Sequence, residues 1–103
     1  MAEDRQGHQV RIIGPGPASV IDDNIDVEVR FRDGRRYVAT FFTLANLATL
    51  FRKNKLTGEC CGGSYLWATD MVIVEELTEE VVERAVAGLL ADGEFEGAFS
   101  LVT

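Results

Sequence analysis

The stretch IDVEVRFRDG, residues 25–34, constrains the fold of this chain more than any other. Every second residue from Ile25 to Phe31 is apolar, and every residue between them is charged. Because side chains alternate between the two faces of a strand, this pattern predicts a half-buried β-strand. Asp33-Gly34 then signals a hairpin turn, since a tight turn needs positive φ. The next stretch, roughly residues 36–42, must therefore run back antiparallel.

The length of the hairpin loop sets the register, and the sequence allows two lengths. A two-residue loop pairs Arg30 with Tyr37. A three-residue loop with a bulge at Gly34 instead places Tyr37, Ala39 and Phe41 on the apolar side. The returning strand is apolar on both faces in either register, so we expect it to lie inside the sheet.

Two later stretches have helical periodicity, and each follows a threonine that can cap a helix. Thr43 precedes a helix predicted from residue 44 to about 55, which Gly58 can end. Its apolar stripe consists of Leu44, Leu47, Ala48 and Phe51, widened by Leu50. Thr78 precedes a second helix, predicted over residues 79–91. Gly88 inside it costs about 1 kcal/mol relative to alanine, which indicates a close approach to another element.

The remaining strands are shorter or less sharply bounded. Residues 65–77, YLWATDMVIVEEL, predict one long strand or two short strands bent near Asp70. Residues 71–74 lack polar alternation, so we expect that part to be covered on both faces. A first or edge strand is predicted at residues 10–13, and the apolar tail, residues 94–103, is expected to dock or to add a short strand.

The resulting order, β-β-β-α-β(β)-α-(β), predicts an α+β fold. We expect a mainly antiparallel sheet of about 4–5 strands with two helices packed on one face. The length of 103 residues predicts a single domain, residues 1–103, with residues 1–8 mobile. Neither a membrane span nor a secretion signal is recognisable, and there is no disulfide framework, so we expect a cytoplasmic protein.

Charge is distributed unevenly along the chain, whose net charge is −7. Residues 1–58 carry a small positive excess, whereas residues 59–103 contain a single basic residue, Arg84, and ten acidic ones. Such a balance argues against nucleic acid and anionic membranes as partners. It favours a protein partner, especially a basic one, or self-association as a homodimer.

Cys60 and Cys61 are the most conspicuous candidates for chemistry. Adjacent cysteines can close only a strained ring, and the pair does not have the spacing of a redox motif. With His8 as the single histidine, the chain has too few soft ligands for structural zinc, and a catalytic thiol would have only His8 as its base. We therefore predict no metal site, no cofactor and no catalytic residue. We interpret both thiols as residues without a chemical role in a glycine-flanked loop.

Tyr65, Trp67 and Asp70 complete the candidate binding site with the two cysteines. On a strand, Tyr65 and Trp67 would share a face, either as an aromatic platform for a partner or as core residues beneath a helix, and the core is the more common fate. Asp70 would have a raised pKa if it were desolvated, but such an aspartate more often marks a turn.

Four arginines crowd the hairpin tip: Arg30, Arg32, Arg35 and Arg36. Like charges facing each other weaken a sheet, so we expect an acidic counterpart from the glutamates around residues 75–83, either within this chain or from a second copy. Taken together, the sequence predicts a small, acidic, non-enzymatic protein that acts through protein–protein contact, such as an inhibitor or immunity protein. The alternatives are an enzyme or small-ligand binder with a pocket formed by residues 58–71, and a homo-oligomeric structural component.

Overall fold

The computed structural model describes residues 7–103, and its centre is a five-stranded sheet. The elements are β1 His8–Ile13, β2 Asn24–Phe31, β3 Arg36–Thr43, α1 Leu44–Thr57, α2 Glu59–Gly63, β4 Met71–Val74, α3 Glu79–Ala91, α4 Phe95–Ala98 and β5 Ser100–Leu101. This confirms the predicted α+β class. The mobility expected for residues 1–8 falls mostly on residues outside the described ones, and His8 is the first residue of β1.

The sheet has the order β1-β2-β3-β4, and β5 pairs with β3 beside β4. Three of the pairings are antiparallel, as predicted, whereas β3 and β4 run parallel. A parallel pair needs a crossover connection, and α1 and α2 lie in that crossover. The interior position predicted for β3 is confirmed, since strands flank it on both sides.

The hairpin between β2 and β3 has the three-residue loop. The N–H of Phe31 donates to the carbonyl of Arg35, and the N–H of Gly34 donates to the carbonyl of Phe31, both at 2.9 Å. Gly34 has φ +97°, a conformation that a side chain would strain. Arg30 therefore faces Arg36, and alternate residues of β3 from Tyr37 onward point into the core.

One face of the sheet carries the hydrophobic core, which α3 and the C-terminal segment cover. Its strand residues include Val27, Val29 and Phe41, each with no exposed surface, and α3 contributes Val82 and Val86. The predicted docking of the tail is confirmed by Phe95 and Phe99, whose rings stack with centroids 4.5 Å apart, and by the pairing of β5 with β3.

Both predicted threonine caps are present. The hydroxyl of Thr43 accepts from the N–H of Asn46 at 3.0 Å, and that of Thr78 accepts from the N–H of Val81 at 3.3 Å. The bounds predicted for α3 are confirmed. The close approach predicted at Gly88 is wrong, because a Cβ built there meets no atom within 4 Å.

The molecule is longer than a chain of this size requires. Its principal extents are 47 × 24 × 23 Å, and its radius of gyration is 14.7 Å, against about 13 Å for a compact domain of 100 residues. Helix α1 begins where β3 ends, at the end of the sheet that is remote from the hairpin tip. We call residues 44–63, which comprise α1 and α2, the arm.

The strand predicted over residues 65–77 is confirmed only at Met71–Val74. Asp70 immediately before it has φ +55°, in the left-handed region, so extended backbone cannot continue through this residue. Covering on both faces, predicted for β4, is also wrong, since Ile73 is 51% exposed. The segment before β4 therefore serves as the return from the arm.

Candidate functional site

Helix α1 turns its polar side toward the body of the protein. Asn46 is buried, accepts from the side-chain amide of Asn24 at 2.9 Å and donates to a carboxylate oxygen of Asp22 at 3.1 Å. The hydroxyl of Thr49 donates to the other oxygen of Asp22 at 2.8 Å. Asn46 and Asn54 are the residues of α1 that are buried. Hydrogen bonds to Asp22 and Asn24 therefore anchor this side of the helix.

The apolar stripe of α1, defined as Leu44, Leu47, Ala48 and Phe51, is left outside the core. At 3.6 residues per turn, Leu44 and Ala48 each lie about 160° around the helix from Asn46. Leu44 is 70% exposed, Ala48 is exposed, and the other two are half-buried. Among the described residues, none of the core side chains comes from α1. A helix face with this periodicity ordinarily packs against the core of a domain. The stripe on α1 does not.

A tight left-handed turn folds α2 back onto α1. Cys60 and Cys61 each have φ +53°, and Gly62 and Gly63 are also in the left-handed region. A Cβ at Gly63 would lie 2.6 Å from Cγ of Lys55 and 2.9 Å from its backbone nitrogen, so only glycine fits there. Lys55 Nζ donates to the carbonyl of Gly63 at 3.2 Å. These contacts hold the tip of the arm in one arrangement.

The two cysteines lie in that turn as free thiols, with Cys60 half-buried and Cys61 exposed. His8 lies at the other end of the sheet, where its ring centroid is 6.2 Å from that of Phe31. Helix α1 leaves the sheet at the far end of β3, so the fold separates the thiols from the single imidazole. The structure thus places both cysteines at the tip of the arm and does not bring a histidine base near them.

Tyr65 and Trp67 are on the surface, and the core interpretation of these residues is wrong. Tyr65 is 47% exposed and Trp67 is 69% exposed. The physical reason is that residues 64–70 form an irregular return segment rather than a strand, so no helix lies above them. Leu56, at the end of α1, is 89% exposed as well. Large apolar side chains on both the arm and its return segment therefore face solvent.

Asp70 forms the turn that precedes β4, which confirms the favoured interpretation of this residue. Its carbonyl accepts from the N–H of Thr40 at 2.9 Å. Asp70 and Asp26 border the same shallow depression of about 210 Å³ on the open face of the sheet, and Asp26 accepts from the hydroxyl of Thr40 at 2.9 Å. The backbone carbonyl of Asp70 and the carboxylate of Asp26 thus both accept hydrogen bonds from Thr40 of β3.

Within this chain the acidic counterpart of Arg30 and Arg36 is Glu28, and the prediction that residues 75–83 of the same chain supply it is wrong. The side chain of Glu28 is only 3% exposed, although it lies on the sheet face opposite the core. Its carboxylate contacts Arg36 at 2.7 Å, Arg11 at 3.3 Å and Arg30 at 3.7 Å. The hydrogen bond from Arg36, aided by the three positive charges, lowers the pKa of Glu28. Strand alternation already places Glu28 on the face of Arg30, which is the signal that the sequence analysis missed.

Arg35 has a separate partner, Asp33, whose carboxylate lies 2.7 Å from its Nε. Its guanidinium also lies 5.1 Å from the ring centroid of Phe31, at the mouth of a cleft of about 180 Å³. Tyr37 and Glu96, which line the same cleft, are joined by a hydrogen bond of 3.3 Å from the phenol. No local sequence pattern predicts this cleft, because it forms only when the tail docks against the hairpin.

A larger groove, of about 600 Å³, runs between β1 and α3. It is lined by the strand residues His8, Gln9, Val10 and Arg11 and by the helix residues Glu83 and Ala87. No pattern within either element alone predicts it.

Comparison with protein-family models, with curated proteins and with solved structures finds no match to this chain. Within residues 7–103, no cluster of three or more His, Cys, Asp or Glu side chains is arranged to hold a metal ion. None of the helices in the same range combines the length and hydropathy that crossing a bilayer requires. The feature of this structure that most needs a functional explanation is the apolar stripe of the arm, in which Leu44 and Ala48 are exposed and Leu47 and Phe51 are half-buried.

Proposed function

We propose that the protein is a non-catalytic protein-interaction module whose arm binds the arm of a second copy of the chain. The outward-facing stripe on α1 carries this proposal. Leu44 and Ala48 of this stripe are exposed, and exposed apolar surface favours association because leaving it in water costs about 25 cal/mol per Å².

The spacing of the stripe suits a helix partner. Leu44, Leu47 and Phe51 are separated by three and then four residues, the spacing of a coiled-coil seam. Helices that meet along such a seam cross at about 20° and interdigitate their side chains. Two arms would bury this seam against each other, which removes Leu44 from water in both copies.

The helix dipole favours an antiparallel arrangement of two copies. The helix has 14 residues and so is about 21 Å long. Antiparallel pairing brings the positive end of each helix dipole beside the negative end of the other. A two-fold axis across the seam satisfies both copies equally.

The test is the mass of the purified full chain in solution, measured by light scattering and by sedimentation over a range of concentrations. We expect twice the monomer mass of 11.3 kDa at high concentration. Leu44→Gln is the diagnostic variant, since its position is already exposed and its loss does not affect the core. Leu56→Gln is the matched control, because Leu56 is on the same helix but about 120° away from Leu44.

Fully burying a leucine is worth about 1.5–3 kcal/mol, so losing Leu44 from both copies weakens the dimer by about 2–4 kcal/mol, a factor of roughly 30 to 1,000 in Kd. A mass of 11.3 kDa at every concentration up to about 1 mM contradicts the proposal. So does an equal effect of the two substitutions.

A further inference from the structure

The outer edge of β1 presents a row of backbone groups that nothing in residues 7–103 pairs. Phe31 directs both its N–H and its carbonyl toward the hairpin loop and β3. Since these groups alternate from side to side along an antiparallel strand, Arg30 and Glu28 direct theirs toward β1. Their partners in the register are Gln9 and Arg11, which therefore bond inward.

The alternate residues of β1, His8, Val10 and Ile12, direct their N–H and carbonyl groups outward. The side chains of Val10 and Ile12 pack against the core, on the same side of the sheet as α3. The groove of about 600 Å³ lies along this edge, with Glu83 and Ala87 of α3 as its other wall. An unpaired edge beside a helix is the geometry in which an extended peptide adds a strand to a sheet.

We propose that this groove binds an extended peptide with basic side chains, which pairs with the outer edge of β1. In such a strand, the residues opposite Val10 point their side chains toward α3. Glu83 is exposed in the wall of the groove, so it faces these side chains with a negative charge. A lysine or arginine at that position of the peptide is therefore favoured, and a glutamate is repelled.

The same charge argues against a second copy as the occupant. Pairing of β1 with its own equivalent continues the sheet and brings two α3 helices to the same side of it. The exposed acidic residues of α3 are Glu79, Glu80 and Glu83, and its one basic residue, Arg84, already pairs with Glu80 at 3.0 Å. Like charges brought together in this way oppose association. This inference does not depend on the pairing of the arms.

The experiment is an NMR titration of the full chain with a blocked five-residue peptide that alternates threonine and lysine. Two control peptides replace lysine by glutamate or carry N-methyl groups on the lysine backbone nitrogens. We expect the lysine peptide to shift the amide signals of His8, Val10, Ile12 and Glu83. The glutamate peptide should bind at least about tenfold more weakly, and N-methylation should abolish the shifts, since it removes the strand's donors.

Two protein variants with the same change of charge sharpen the test. Glu83→Gln should weaken binding of the lysine peptide by about three- to fivefold, as expected for an exposed charge pair, whereas Glu80→Gln should change it by less than about twofold. The absence of shifts at about 5 mM peptide overturns the proposal, as does binding that survives N-methylation. It is equally overturned if the β1 amide signals shift with protein concentration alone, since a second copy would then be the occupant.

Discussion

Replacing Glu28 by glutamine tests how the open face of the sheet is held together. Glu28 contacts three guanidinium groups, and Arg30 and Arg36 face each other directly across β2 and β3. Glu28→Gln keeps the size of the side chain and one acceptor but removes the charge. Three arginines of the same sign then share one face, a cross-strand arrangement that destabilises a sheet.

The expected cost is about 2 kcal/mol. Each arginine side chain is between 37% and 66% exposed, so each pair is worth only about 0.2–1 kcal/mol despite the burial of Glu28. The repulsion between Arg30 and Arg36 adds to the sum of these pairs. For a domain of this length, about 2 kcal/mol lowers Tm by roughly 8–16 °C.

The pH dependence of the stability difference between wild type and Glu28→Gln identifies the cause of that difference. Because the pKa of Glu28 is lowered in the folded protein, the folded state binds its proton more weakly than the unfolded state does. The stabilisation is therefore fully present above the unfolded pKa of about 4.3 and is lost as the pH falls through the folded pKa. Urea unfolding at pH 7 and at lower pH should show the difference between wild type and Glu28→Gln shrinking in that window.

A control variant separates this cluster from ordinary surface charge. Glu80→Gln removes an exposed pair with Arg84 and should cost less than about 0.5 kcal/mol. Equal stability of wild type and Glu28→Gln at pH 7 would refute the reasoning. A cost that stays constant as the pH falls below about 4 would also refute it, since packing and not charge would then be responsible.

Three further substitutions test the backbone of the helices and the arm, each by urea unfolding with a matched wild-type measurement. Gly88→Ala should stabilise the protein by about 0.5–1 kcal/mol, because α3 has open space at this position; a loss of stability would mean that something packs there. Gly63→Ala should cost more than about 2 kcal/mol, since its Cβ overlaps Lys55 at positive φ, and an unchanged midpoint would show that α2 does not rest on α1 as described. Cys61→Gly should stabilise by about 0.5 kcal/mol, as relief of its left-handed conformation outweighs the added chain entropy; no gain would indicate that the turn is unstrained.

Much of the fold follows from local patterns that act over a few residues. The alternation in β2 indicates both the strand and its buried face, because a single register places Val27 and Val29 in the core. Thr43 and Thr78 each indicate a helix start, since capping depends on groups only three residues apart. These elements were predictable because their causes lie within the same short stretch.

The candidate site was less predictable, because its properties depend on what does or does not pack against each element. Periodicity marks the stripe on α1 as an apolar face but does not say whether the rest of the chain covers it. Trp67 is exposed because the segment that carries it does not form a strand, and the left-handed turn at Asp70 ends the extended backbone.

The sequence by itself therefore determined the hairpin of β2 and β3 and the starts of α1 and α3. The tertiary structure alone decided that residues 64–70 are not a strand, that β4 runs parallel to β3, that Glu28 pairs with three arginines, and that Leu44 of the arm stays exposed. The physical reason is range: backbone conformation and capping respond to neighbours along the chain, whereas burial and charge pairing respond to neighbours in space.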